Sequence, residues 1–211
     1  MNELIPIFPL AVVVYPGDEL NLHIFEPRYK ELINVTAKTK APFGVPTVLD
    51  KKVAELGTLV ELTQIVNVEA DGQMDIRTRG LRVFRVQRLL KTYPGKLYGA
   101  AEVTYPESND AGDPKVMRAV LAGIKKLHVL LKVTKRFCKP EAKLTSFEVA
   151  HQAGLSLKQE YELLGLTDER DRQTYLLRHL EQVLPVVAEM ESLKEKIKLN
   201  GHFKKIPGFE L

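Results

Sequence analysis

The sequence predicts an α+β protein: an N-terminal antiparallel β-barrel with one short helix, followed by a C-terminal α-helical bundle with a long last helix. Three observations carry this expectation. In the first half, apolar and polar residues alternate with period two, as in Met74, Ile76 and Thr78 against Gln73, Asp75 and Arg77. Short β-prone runs there are separated by turn signals such as Tyr15-Pro16-Gly17-Asp18 and Asp71-Gly72. After the polar, Pro- and Gly-bounded segment 106–114 the apolar spacing switches to three and four.

Taken in order, Ile5 to Phe8 and Glu19 to Ile24 are predicted strands. Pro27 suits the first position of a helix whose Tyr29, Leu32, Ile33 and Thr36 keep one face up to Ala37. Strands are expected again at 43–49, 58–68, 73–78, 81–90 and 96–104, many short strands with few helices between them, which is how a closed antiparallel sheet reads. The domains predicted are thus a barrel over 1–106, a linker over 107–114 and a helical bundle over 115–211.

In the bundle, Val116, Val120, Ile124, Leu127 and Leu131 mark a helix expected to run to about Lys139, where Pro140 stops it. Thr145 to Glu148 and Ser156 to Gln159 have the capping-box pattern and start two short helices. The last helix follows Thr167-Asp168-Glu169, with Leu176, Leu180, Val183, Val187, Met190 and Ile197 along it until Asn200-Gly201, and with a kink expected at Pro185. Phe203, Ile206 and Phe209 are expected to pack back on the bundle.

Composition narrows the function classes. A chain of 211 residues with 45% hydrophobic and 27% charged residues has enough apolar material for real cores. Its net charge of +4 is spread thinly: residues 1–106 hold 13 Lys and Arg against 12 Asp and Glu, and the remainder 18 against 15. Neither half is a polycation of the kind that gathers nucleic acid by counterion release. Cys138 is the single cysteine, so no intrachain disulfide forms and a reducing, cytoplasmic location is expected. No apolar run approaches the length of a membrane span, and no membrane partner is predicted.

Chemistry-bearing patterns are scarce. Neither G-x-x-x-x-G-K-[ST] nor G-x-G-x-x-G occurs, so no phosphate cradle is expected. Ser108, Ser146 and Ser156 fall at linker or helix-start positions, and Ser192 and Lys194 face different sides of a helix. His23, His128, His151, His179 and His202 lack metal-ligand spacing. Hence no catalytic residue, metal site or cofactor is predicted. A basic cluster, Arg77, Arg79, Arg82, Arg85, Arg88 and Lys91, sits on consecutive strands, and Lys125, Lys132, Arg136 and Lys139 could line a helical face; outward positions of a half-buried sheet and a solvated helix account for both.

Several linked motifs carry a resemblance. Ile5-Pro6-Ile7-Phe8-Pro9-Leu10, Val13-Val14-Tyr15-Pro16-Gly17 and Leu22-His23-Ile24-Phe25-Glu26-Pro27-Arg28-Tyr29 closely resemble the opening of the N-terminal domain of the Lon family of ATP-dependent proteases. Phe43-Gly44-Val45, 53–58, Asp71-Gly72 and Arg79 to Val86 follow in that family's order. Residues 157–164, then Asp168-Glu169-Arg170 and the long helix, resemble the bundle behind the Lon barrel.

The resemblance implies a PUA-like barrel and a substrate-recruiting role without the ATPase or the Ser-Lys protease module, since the chain ends at Leu211. Degradation by this polypeptide alone is therefore not expected. The predicted function is recognition of unfolded or extended polypeptide, with a protease or chaperone as a further partner and self-association through the last helix as an option. A free strand edge can add a peptide strand through main-chain hydrogen bonds. Phe25, Arg28, Tyr29, Phe43 and Phe84 are taken as peptide-binding positions. The alternatives are a PUA-like RNA binder using the Arg77 to Arg88 cluster and a small-ligand pocket; nucleic acid is the less favoured partner because only Phe84 could stack a base there.

Overall fold

The computed structural model describes residues 2–137 and 139–203, with side chains described to residue 198. Cys138 and the tail positions Ile206 and Phe209 lie outside the described residues, as does the Phe203 side chain. In chain order the elements are β1 (Glu3–Pro6), β2 (Glu19–Ile24), α1 (Pro27–Thr39), β3 (Phe43–Leu49), β4 (Lys52–Val68), β5 (Met74–Leu90), β6 (Ala100–Thr104), α2 (Pro114–Leu130), α3 (Ser146–Ala150), α4 (Leu157–Leu164) and α5 (Glu169–Phe203). The protein is α+β, as its sequence predicts. By compactness the chain divides into Met1–Asp110 with Leu155–Glu169, and Ala111–Gly154 with Arg170–Leu211.

In the first unit the strands are hydrogen-bonded in the order β1-β6-β5-β4-β3, all antiparallel, with β2 joined to β5. The ring closes by a parallel seam: Ile7 and Leu10, just past β1, bridge Gly44 and Thr47 of β3. The Phe8 amide donates to the Gly44 carbonyl at 2.8 Å, and the Val48 amide to that of Leu10 at 2.7 Å. Inside lie two apolar clusters. Phe8, Ile24, Tyr29, Leu32, Phe43 and Ile76 belong to one, and Ile5, Leu59, Phe84 and Val103 to the other.

Strand β4 begins at Lys52 and β6 at Ala100, where the sequence reading starts them at 58 and 96, and two further departures have a visible cause. Strand β5 is one 17-residue strand rather than two, because Gly80 does not break it. A Cβ there would lie 2.2 Å from the Tyr15 carbonyl oxygen, so glycine admits a close chain crossing. Helix α2 ends at Leu130, short of Lys139. Lys132 takes a left-handed φ of 55°. Its amide donates to Val129 O, and the Val133 amide reaches back to His128 O at 3.0 Å, a Schellman-type stop made by lysine where glycine is usual.

Helix α4, which the sequence places with the helices, is part of the barrel unit. Ser156 and Gln159 close its capping box. Its Tyr161 hydroxyl accepts from the Leu56 amide at 3.1 Å, and the Tyr15 hydroxyl donates to the Glu160 carbonyl at 3.1 Å.

In the second unit, Asp113 caps α2 by accepting from the Lys115 amide at 2.7 Å, and Met117, Val120, Leu121, Ile124 and Leu127 are buried. From α5 come buried Leu176 and Leu180, the latter 3.0 Å from where a Gly123 Cβ would stand. Arg172 is buried beside Ser146, donating Nε to its Oγ at 3.1 Å, with the guanidinium 4.3 Å over the Phe147 ring. Helix α5 continues through Pro185.

Candidate functional site

Strand β2 is an exposed edge of the barrel unit. It pairs with β5 in unbroken register from Glu19 opposite Arg79 to Ile24 opposite Met74. Among the described residues no backbone hydrogen bond joins 19–24 to anything on its other side. The distal half of β4 also has only β5 as neighbour, but its ladder shifts register three times, at Leu59/Val60, Leu62/Gln64 and Ile65/Asn67. Bulges of this kind twist an edge away from incoming strands; the six residues of β2 carry none, and no Pro or Lys guards them.

Apolar surface flanks this edge. A cavity of about 420 Å³ is lined by Asn21, Leu22, His23, Val66, Asp75 and Ile76, among others. Val66 and Val68 are 50% and 59% exposed, and Phe25, one residue beyond β2, is 59% exposed. The His23 ring lies between a 2.9 Å contact from Nδ1 to Asp75 Oδ1 and one of 2.9 Å from Nε2 to Gln73 Oε1. Both partner atoms are oxygens, so an imidazolium satisfies both by donating twice. The Asp75 hydrogen bond, helped by that of Gln73, raises the His23 pKa above its ordinary value.

A second concavity, of about 250 Å³, lies where α1 leaves β2, lined by Ile7, Pro9, Arg28, Tyr29, Leu89 and Lys91 among others. Arg28 is held to Glu26 at 2.7 Å and its guanidinium stands 4.6 Å from the Tyr29 ring centre. Tyr29 is stacked on Phe8 with centroids 3.8 Å apart; burial pushes its phenol pKa up, with Arg28 pulling the other way.

The sequence-predicted site therefore separates. Phe25, Arg28 and Tyr29 meet at the β2–α1 junction, although Tyr29 offers only 7% of its surface. Phe43 and Phe84 are 0% exposed, each in a different apolar cluster, and no ligand outside the barrel can touch them. Phe43 opens β3 and Phe84 faces inward from β5, so an aromatic residue in a strand marks the core here rather than the surface. Sequence reasoning also missed Val66 and Val68: their signal, apolar residues at alternate positions late in β4, reads equally well as core.

The basic cluster is largely neutralised. Arg79 pairs with Glu61 at 2.7 Å, Arg82 with Glu3 at 3.8 Å, Arg85 with Glu55 at 2.8 Å and Arg88 with Glu102 at 2.5 Å. A cross-strand ladder of ion pairs presents little net positive charge to a phosphate backbone. Lys125 is on α2, whereas Lys132, Arg136 and Lys139 lie beyond its end and do not share its face. Among the described residues no group of three or more His, Cys, Asp or Glu could hold a metal ion, and no helix is long and apolar enough to cross a membrane.

The profile of the ATP-dependent protease La (LON) substrate-binding domain matches residues 4–182. The chain belongs to the LON substrate-binding domain family. Among solved structures, this LON domain is similar to the Lon N-terminal domain protein from Xanthomonas campestris, at 30% identity and a TM-score of 0.64, over 83% of this chain and 98% of that one. It shares its fold with the N-terminal domain of Mycobacterium avium complex Lon protease, at 16% identity and a TM-score of 0.60, over 85% of this chain and 98% of that one. A comparison with curated proteins finds no match. The matched residues 4–182 take in the whole barrel unit from Leu4 on and much of the helical one.

Proposed function

We propose that this LON domain recognises unfolded or extended polypeptide by adding it as a strand along the free edge of β2, without changing it chemically. The observation that carries this reading is an unguarded six-residue edge flanked by exposed Phe25, Val66 and Val68. Main-chain hydrogen bonds supply affinity independent of sequence, and the apolar flank accepts side chains with little discrimination. Lys91 at the neighbouring concavity, where Arg28 is already held by Glu26, would favour segments carrying an acidic residue beside an apolar one. The captured chain could then pass to a protease or chaperone partner in the cytoplasm.

Fluorescence anisotropy with a labelled, permanently unfolded polypeptide tests this on the full chain. Phe25→Ser and Val66→Ser should each weaken binding about tenfold, the scale of one apolar side chain losing its burial. Binding should change less than about threefold between 50 and 500 mM salt, because the capture is not phosphate-like. Unchanged affinity in both variants, or a steep salt dependence, contradicts the reading.

A further inference from the structure

The helical unit carries a concavity unlike those of the barrel. It measures about 360 Å³ and is lined by Lys125, His128, Lys135, Arg136, Phe137 and Lys139, with Pro140 and Glu141. The chain is folded back there by the Lys132 turn that ends α2 and by the 3-10 turn Glu141–Lys143.

Its charges do not balance. Lys125 pairs with Glu141 at 2.6 Å, and Lys139 pairs with Glu148. Burial pushes the Glu148 carboxyl up, but Lys139 and the Thr145 amide together hold it below its ordinary value, so it stays charged against Lys139. Lys135 and Arg136 are exposed and have no acidic partner among the described residues. This contrasts with the barrel, where Arg79, Arg82, Arg85 and Arg88 each face a glutamate.

From this juxtaposition we infer that the concavity is an anion site for a phosphomonoester, with Lys135 and Arg136 as its principal ligands. Two uncompensated cations match a group carrying about −1.5 to −2 charges near neutral pH, whereas a carboxylate would leave one of them unanswered. The guanidinium of Arg136 can meet two phosphate oxygens at once, and Lys135 adds a point charge. Half-buried Phe137 gives an apolar wall for the carbon stem of a phosphorylated side chain. His128 is held in place by donating Nε2 to the Gln152 carbonyl at 3.3 Å. The inference is independent of the barrel reading.

Amide NMR of the full chain tests it with three probes: inorganic phosphate, a short peptide with one phosphoserine, and the same peptide unphosphorylated. The phosphopeptide should shift the amides of 125–141, and the double variant Lys135→Ala with Arg136→Ala should weaken it at least tenfold. Lys126→Ala, at an exposed lysine outside the concavity, should leave it unchanged. Shifts with inorganic phosphate alone assign the site to free phosphate; shifts requiring the phosphopeptide assign it to a phosphorylated side chain. The inference is overturned if both peptides bind alike, if the double variant binds like the parent, or if a single-stranded oligonucleotide occupies the same residues more tightly than the phosphopeptide.

Discussion

The hydroxyl of Tyr161 accepts a 3.1 Å hydrogen bond from the backbone amide of Leu56, fastening α4 to the barrel across 105 positions of sequence. Tyr15 makes the reverse connection, donating to the Glu160 carbonyl. Tyr161→Phe removes this acceptor of the Leu56 amide while keeping the ring. Urea denaturation should show a loss of about 1–2 kcal/mol, the cost of an amide left unsatisfied in a part-buried place.

Gly80→Ala should destabilise the barrel by about 1–3 kcal/mol or more, since its new Cβ would meet the Tyr15 carbonyl at 2.2 Å and one of two backbones must move. Gly95→Ala is a control of another kind: nothing lies within 4 Å of its Cβ, and only its φ of 69° is strained. Thermal melts of the two variants should rank Gly80 as the more damaging.

His23 should titrate above 6.5, its ordinary value, because the protonated ring is held first by Asp75 and then by Gln73. Folding raises this pKa, so the stabilisation from the pair is fully present below pH 6.5 and is lost as pH rises through the folded-state value. NMR titration of the His23 ring should give a midpoint that falls towards 6.5 in Asp75→Asn. The ring is about half exposed, so the effect on global stability should be slight.

Arg85→Ala should change stability by less than about 1 kcal/mol, because its pair with Glu55 is solvent-exposed on both sides. Chemical denaturation at low and high salt checks this, with any difference from the parent shrinking as salt rises.

Much of this architecture is legible in the sequence because local chemistry and tertiary structure agree. The alternation of Met74, Ile76 and Thr78 is a strand face, and the capping boxes at Thr145 and Ser156 start α3 and α4. The misreadings occur where tertiary contact overrides a local signal. Gly80 reads as a break but serves a chain crossing, and Lys132 adopts a helix-ending conformation that its residue type does not advertise. The parallel closure of Leu10 on Thr47 leaves no local trace at all.

The candidate surface was legible only in part. The Phe25 to Tyr29 run marks the β2–α1 junction, but Phe43 and Phe84 were indistinguishable from exposed aromatics until their burial was known. An open edge is a property of strand order, and the joining of β2 to β5 across about fifty residues cannot be read from either segment alone.

Hydrogen–deuterium exchange of the full chain, with and without a permanently unfolded polypeptide, bears most directly on the recognition mechanism. An added strand on β2 should slow exchange of the backbone amides within 19–25, while those of the distal β4 edge, 61–68, keep their rates. Protection confined to other surfaces, with the 19–25 amides exchanging as fast as in the free protein, would contradict capture at this edge.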